Sequence, residues 1–414
     1  MARVPPRRRR TPARRETLPE DLVLTGARVW SDPDAAVSEP RSVVIRDGVI
    51  RTTGSSDSVP RSVRRLDVRG RVVTAGFWNC HVHLTGQPWL RSRTGSAPDL
   101  QAALDDMFLR RGFTQVLDLA SNPLTTRALV RRISTGELRG PEIVTAGNGV
   151  RPWRGIPFYV AADLPRYLHA LMPGPATPLA ARLVVAAQAV AGAGVTKLFT
   201  GSYVTPTRVK PMRLAVARAA ASEAHRRGMR VFAHPSNREG TSVALRAGVD
   251  ALAHVPDETD GTESLLREAA AAGVRVVPTL HMFASTVTTD EAYLAPIRGA
   301  LRGFVDAGGR VLFGTDVGYM SDRDTRGELE AMHAAGMSPS DLLRSLTVEP
   351  AEFMRRPDLG TVEPGMRANL TVLATTEPPT PADLAHVAAV VRDGQVVYER
   401  DTSSAAGAGA DPGP

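Results

Sequence analysis

Residues 228–255 read GMRVFAHPSNREGTSVALRAGVDALAHV and carry one pattern twice. Each copy opens on a glycine, Gly228 or Gly248, runs through a short apolar segment, and closes on a histidine, His234 or His254. A stretch of helical composition lies between them. A glycine placed just before an apolar run reads as the residue that ends a helix in the left-handed conformation and turns the chain into a strand. Short loops and strands that are apolar on both faces are what parallel β/α units require.

Outward from this stretch the pattern recurs. Eight apolar runs alternate with helical segments: VVTAGFW (72–78), FTQVLDLA (113–120), PEIVTAG (141–147), VTKLFTG (195–201), MRVFAHP (229–235), VDALAHV (249–255), VRVVPTL (274–280) and RVLFGTD (310–316). Six follow a glycine directly: Gly112, Gly194, Gly228, Gly248, Gly273 and Gly309. Eight such units predict an α/β chain with a (β/α)8 TIM-like barrel over residues 74–358. A doubly wound sheet is the alternative, but no G-x-G-x-x-G follows an early strand, which weakens a dinucleotide-binding version. The flanks, 20–73 and 359–400, carry alternating strands with Asp47-Gly48 and Asp393-Gly394 turns. They predict a small β-sandwich domain formed by both termini. The Arg-rich residues 1–19 and the low-complexity residues 401–414 are expected to be disordered tails.

Composition removes several classes. The chain has 414 residues, 43% hydrophobic and 23% charged, which is ordinary for a soluble globular protein. No apolar run approaches the roughly 18–20 residues of a membrane span. The one cysteine, Cys80, rules out an internal disulfide framework and a cysteine-rich zinc finger. The basic N-terminal stretch has no apolar segment to make it a secretory signal, so a cytoplasmic location is expected. Net charge is +8, but seven arginines lie in residues 1–15 with no acid, leaving the rest of the chain near +1. A nucleic-acid enzyme carries its basic surface on the folded body. The expected partner is therefore a small-molecule substrate rather than nucleic acid or a membrane, and a homo-oligomer is compatible with the sequence.

The basic residues comprise 49 arginines and two lysines, Lys197 and Lys210. A lysine in so arginine-rich a chain points to a need for its amine, which arginine cannot replace. Lys210, beside Pro211, reads as a surface charge. Lys197 lies inside the fourth run. His81 and His83 follow closely on the first, and on a strand the side chains at i and i+2 point the same way. His234, His254 and Asp316 end the fifth, sixth and eighth runs. Active sites of barrels are built at those strand ends, and imidazole with carboxylate suits zinc or a similar first-row cation. An ammonium cannot bind a cation, but a lysine carboxylated by carbon dioxide gives an oxygen pair able to bridge two metals.

These strings resemble the metal-dependent amidohydrolase superfamily. TAGFWNCHVHLTG (74–86) looks like its first-strand motif, and GVTKLFTGSYV (194–204) resembles its bridging-lysine strand. FAHPSN and GVDALAHV resemble its fifth- and sixth-strand histidines, and RVLFGTDVG the strand of its aspartate. GELEAMHAAGMSPSDLLRSLTVEPAEFM and LGTVEPGMRANLTVLA are similar to the helix and sandwich return of its imidazolonepropionase-like and prolidase-like branch. The resemblance implies a binuclear centre of two divalent metal ions, zinc being expected. His81, His83 and Asp316 would bind one, His234 and His254 the other, with carboxylated Lys197 between them.

It further implies a hydrolase that cleaves a carbon–nitrogen bond of amide, peptide-like or cyclic amide type by a metal-activated hydroxide, with Asp316 as catalytic base and then acid. Alternatives are the same site acting on a lactone or phosphoester or in decarboxylation, and a non-catalytic small-molecule binder. The family often has Asp where this chain has Asn79, which puts any charge-dependent role there in question. Cys80 reads as an apolar filler. His281, after the seventh run, and Tyr203, after the fourth, are candidates for substrate binding. The loop QPWLRSR (87–93) would suit an acidic or aromatic group.

Residues 1–15 hold no periodic apolar residues and should bury little, so their deletion is expected to leave the thermal midpoint and turnover unchanged. A truncated protein that fails to fold would show that the tail is structural.

Overall fold

The two Asp-Gly turns place both residues at positive φ: 53° and 72° at Asp47-Gly48, 52° and 80° at Asp393-Gly394. This is the twist that joins antiparallel strands through two-residue loops. The computed structural model describes residues 21–163, 165, 167, 169 and 172–400, so the expected tails lie outside the described residues. The N-terminal strands are β1 (Leu22–Val29), β2 (Pro40–Arg46), β3 (Val49–Gly54), β4 (Arg64–Asp67) and β5 (Val72–Ala75). The middle of the chain supplies β6 (Phe77–Val82), β7 (Phe113–Asp118), β8 (Glu142–Thr145), β9 (Val195–Phe199), β10 (Gly201–Thr205), β11 (Arg208–Pro211), β12 (Arg230–His234), β13 (Ala251–Ala253) and β14 (Arg275–Val277). The C-terminal strands are β15 (Leu370–Leu373), β16 (Val387–Arg392) and β17 (Gln395–Glu399).

Both ends of the chain share one eight-stranded sheet, ordered β17-β16-β15-β5-β1-β2-β3 with β4 alongside β1. The run 72–78, read as the first barrel strand, therefore divides. Its first half is β5, paired with β1 and β15. Its second half opens β6. The break falls at Gly76, where an added Cβ would lie 2.2 Å from Thr114 Oγ1. Only glycine lets β6 begin against β7.

The remaining runs form two parallel sheets, β6-β7-β8 and β9-β12-β13-β14. Single parallel bridges join Val150 to Leu198, Val276 to Val311 and Val82 to Val317. The eighth run, expected as a strand, is irregular. It still exchanges hydrogen bonds with a neighbour on each side: Leu312 donates to Val276 O, and Cys80 donates to Phe313 O. Gly314 in this run packs so closely that a Cβ would stand 2.3 Å from Val277 and 3.0 Å from His81. Asp316 then departs from extended geometry at φ 61°.

Helices alternate with these strands, and side chains of Ser96, Asn122, Thr177, Asn237, Asp290 and Ser338 accept hydrogen bonds from their first-turn amides. Such caps satisfy amides that have no partner inside the helix. Of the six glycines expected at positive φ, Gly112, Gly228, Gly248 and Gly273 adopt it. At the other two junctions Gly192 and Gly308 take that role. Gly194 and Gly309 are small for another reason: a Cβ would meet Val144 at 2.7 Å and the Phe304 ring at 2.4 Å. The hairpin β10–β11, with Tyr203 on its first strand, follows the fourth run directly. Among the described residues no helix is long and apolar enough to cross a membrane.

Gly76→Ala should lower stability by about 1–3 kcal/mol through overpacking. Denaturant unfolding checks it, with a lower midpoint expected at unchanged slope.

Candidate metal centre

The site begins with β6. Asn79 and His81 share one face of this strand, and both are buried. Asn79 Oδ1 accepts from the backbone N–H groups of His81 and Thr315, each at 3.2 Å, while its Nδ2 donates to Thr315 Oγ1 at 2.8 Å. The side chain thus ties the histidine strand to the segment carrying Asp316. A carboxylate could accept twice but could not donate, so the amide has a structural reason to stand here. Cys80 is fully buried, which pushes its thiol well above the ordinary range and keeps it protonated. The apolar-filler reading fits this.

Three ligand-type groups converge. His81, His83 and Asp316 offer nitrogen and oxygen atoms that all lie within 4.8 Å of one another. Asp316 Oδ1 stands 3.3 Å from His81 Nε2 and 2.8 Å from His83 Nε2. His254 Nε2 lies 4.0 Å from Asp316 Oδ2. The His254 ring is 4.6 Å from that of His81 and 4.5 Å from that of His234. His234 stacks on Phe199 at 5.2 Å, and Lys197 Nζ lies 5.7 Å from the centre of the same Phe199 ring.

The rear nitrogens are held in turn. His83 Nδ1 faces Ala120 O at 3.2 Å. His254 Nδ1 faces Thr279 Oγ1 at 2.7 Å, and that hydroxyl donates to Pro278 O. The Thr279 oxygen must therefore accept, which puts the His254 proton on Nδ1 and leaves Nε2 with a free lone pair. This is how a protein fixes the tautomer of a metal-binding histidine. Asp118 completes the support and was not singled out in the sequence. It is buried at the end of β7, takes hydrogen bonds from Ser121 and Thr145, and fixes the turn that presents Ala120 O. The signal was available as the one acid in the apolar run FTQVLDLA.

Electrostatics favour ligand forms. Burial, then the nearby Lys197, lowers His81 and His234 well below the ordinary imidazole range; burial and His234 do the same for His254. All three are neutral at pH 7. Burial lowers Lys197 to about 7, partly opposed by Asp316. Its amine is thus available as free base near neutrality, the form that can add carbon dioxide. Among the described residues, both ring nitrogens of His81, Lys197 Nζ and Asp316 Oδ1 are buried without a hydrogen-bond partner. Buried polar atoms are normally satisfied, and this donor set fits a bound cation. Backbone strain gathers here as well: Ala120, His254, Thr279 and Asp316 have φ of 151°, 114°, 51° and 61°. Such outliers concentrate at functional sites.

The two substrate candidates have other partners. His281 Nε2 pairs with Asp322 at 2.8 Å, and its backbone N–H donates to buried Glu328. The Tyr203 hydroxyl donates to Asp257 at 2.8 Å and lies 3.1 Å from Glu258. Trp89 of the first loop is buried against Phe108, so its ring is a core side chain rather than a contact for an aromatic substrate.

Residues 72–398 match the model of the amidohydrolase family, and the chain belongs to that family. Dihydroorotase of Anaeromyxobacter dehalogenans is 44% identical over 63 residues, which is 15% of this chain and 14% of that protein. Ochratoxinase of Aspergillus niger is 24% identical over 348 residues, 74% of this chain and 71% of that protein. A prolidase solved with N-methylphosphonate-L-proline superposes with a TM-score of 0.74 at 25% identity, covering 92% of this chain and all of that one. The fold of these structures and the family match agree with each other over most of the chain.

Removing the Asn79 clamp should be measurable. Asn79→Ala leaves two buried backbone N–H groups without their acceptor and is expected to lower stability by about 1–3 kcal/mol. An unchanged thermal midpoint would show that the clamp is dispensable.

Proposed function

We propose that the chain is a metal-dependent hydrolase that cleaves amide, peptide-like or cyclic amide bonds of a small-molecule substrate, on a closed (β/α)8 barrel with a terminal β-sandwich. The observation that carries this reading is the convergence of His81, His83 and Asp316, with Lys197 buried and unpartnered nearby. The amidohydrolase family match supports it, as do the prolidase and ochratoxinase relatives.

His81, His83 and Asp316 would hold one divalent ion, His234 and His254 a second, and Lys197 carboxylated by carbon dioxide would bridge them. When bound, such ions make water acidic enough to attack at neutral pH and polarise a carbonyl. The protein's own residues do the rest. Asp316 Oδ1 sits between two imidazoles, which leaves Oδ2 to take a proton from the attacking water. The water oxygen adds to the carbonyl carbon, and Oδ2 returns the proton to the departing nitrogen as the carbon–nitrogen bond breaks. Ala120 O and Thr279 Oγ1 hold His83 and His254 so that their Nε2 atoms stay directed inward.

A panel of N-acyl amino acids, dipeptides, lactones and phosphotriesters, offered to the zinc-loaded protein, tests the reaction class. Turnover of amides is expected; turnover confined to lactones or phosphotriesters would overturn the proposal. His81→Ala or His83→Ala should abolish activity and lower bound metal. Full metal content with normal turnover in the double variant would remove both from the site.

Lys197 separates this reading from a generic zinc barrel. If its value is the added carboxylate, Lys197→Arg should be as damaging as Lys197→Ala, because guanidinium cannot become the bridge and would repel two cations. Short carboxylic acids or bicarbonate should partly restore the Ala variant and not the Arg variant. Near-normal turnover with two metals in the Arg variant would make Lys197 a structural lysine.

A further inference from the structure

Arg151 lies just beyond β8 and is 4% exposed. Its Nη1 donates to Gly149 O at 2.9 Å, and no carboxylate pairs with it among the described residues. Nε is buried with no partner. A guanidinium does not escape this state by losing its proton: burial lowers it only to about 10, so it is charged at neutral pH. A buried, unpaired cation is strongly unfavourable unless something anionic completes it.

Its surroundings place it beside the metal centre. The guanidinium carbon lies 5.1 Å from the centre of the Phe199 ring, the same ring on which His234 stacks and near which Lys197 Nζ lies. Tyr159, in the helix Phe158–Asp163, lies within electrostatic range of both Arg151 and Asp316. The arrangement is built rather than incidental. A Cβ on Gly149 would stand 2.6 Å from the Phe199 ring, so this glycine is what allows the ring to lie under the arginine. The bond from Nη1 to Gly149 O fixes the guanidinium plane and leaves the Nε and Nη2 edge free. That edge is the fork that matches the two oxygens of a carboxylate.

We infer that Arg151 is a specificity residue that binds a free carboxylate of the substrate, one ring away from the bond to be cut. Resting on the amide-hydrolase reading, this narrows the substrate class to N-acyl amino acids and dipeptides, whose carboxylate lies two bonds from the scissile nitrogen. Neutral amides and esters lack the group that completes the arginine. Lys197 and Arg151 thus divide two kinds of work: the first needs an amine that can be modified, the second a permanent planar charge.

The test uses zinc-loaded full-length protein and two matched probes, N-acetyl-L-phenylalanine and N-acetyl-L-phenylalaninamide. Turnover of each and its equilibrium binding by calorimetry are measured for wild type, Arg151→Gln and Arg151→Lys. Wild type should favour the carboxylate on the order of 10- to 100-fold, as expected for a charge-assisted bidentate pair. In Arg151→Gln that preference should collapse to about one, chiefly through KM, with metal content unchanged. Arg151→Lys should retain only part of it. Equal handling of the two probes by wild type overturns the inference, and this result does not depend on whether any variant folds. A preference that survives in Arg151→Gln overturns it too. Amide turnover without carboxylate preference would leave the hydrolase reading standing and remove Arg151. Arg151-dependent carboxylate binding with no turnover of any amide would do the reverse.

Discussion

Asp316 Oδ1 lies within 2.8 and 3.3 Å of two imidazoles, those of His83 and His81, and much of what is unusual in this chain serves that approach. A carboxylate removed from water needs compensation. The strand ends supply neutral nitrogen donors and one lysine without a partner, not a clean set of ion pairs. Burial lowers the imidazoles out of their charged range, so proton-mediated ion pairs with Asp316 are disfavoured at neutral pH. A cation would satisfy the inward imidazole nitrogens and the carboxylate together, since their lone pairs can point at it at once.

The supporting structure follows from this constraint. Asn79 binds β6 to the segment of Asp316 through two hydrogen bonds to Thr315, and a third, from the His81 N–H, lies within its own strand. Ala120 O and Thr279 Oγ1 choose which nitrogen of His83 and His254 faces inward. Asp118 stabilises the first of these turns from below. The glycines at 76, 149 and 314 are small because backbones and rings must come close at those points. The strained φ angles at 120, 254, 279 and 316 mark where the chain leaves regular geometry to aim these groups.

The periodic parts of the fold were legible because they depend on local chemistry. Glycines before apolar runs marked five of the seven parallel strands, β7, β9, β12, β13 and β14, and the Asp-Gly pairs marked the hairpins β2–β3 and β16–β17. The division at Gly76 was not legible, because β5 and β6 are adjacent in sequence and equally apolar. What separates them is contact with Thr114 and with β15, nearly 300 residues downstream. The ligand candidates stood out by residue type at strand ends, and His81, His83 and Asp316 do meet. Arg151 and Asp118 were hidden for opposite reasons. Arginine is so common here that one more carried no signal, and Asp118 works through hydroxyls that look ordinary in the sequence. His281 and Tyr203 were visible by position, but their acidic partners, Asp322 and Asp257, are loop residues with no pattern.

The claim on which the rest depends is that the unpartnered buried atoms around Asp316 exist to hold metal. The direct measurement is elemental analysis of protein reconstituted with zinc in the presence of carbon-13 bicarbonate, combined with carbon-13 NMR of the same sample. The account predicts close to two zinc ions per chain and one carbamate resonance that disappears when the metal is stripped. Protein that retains no zinc after gel filtration, with no carbamate signal, would contradict it.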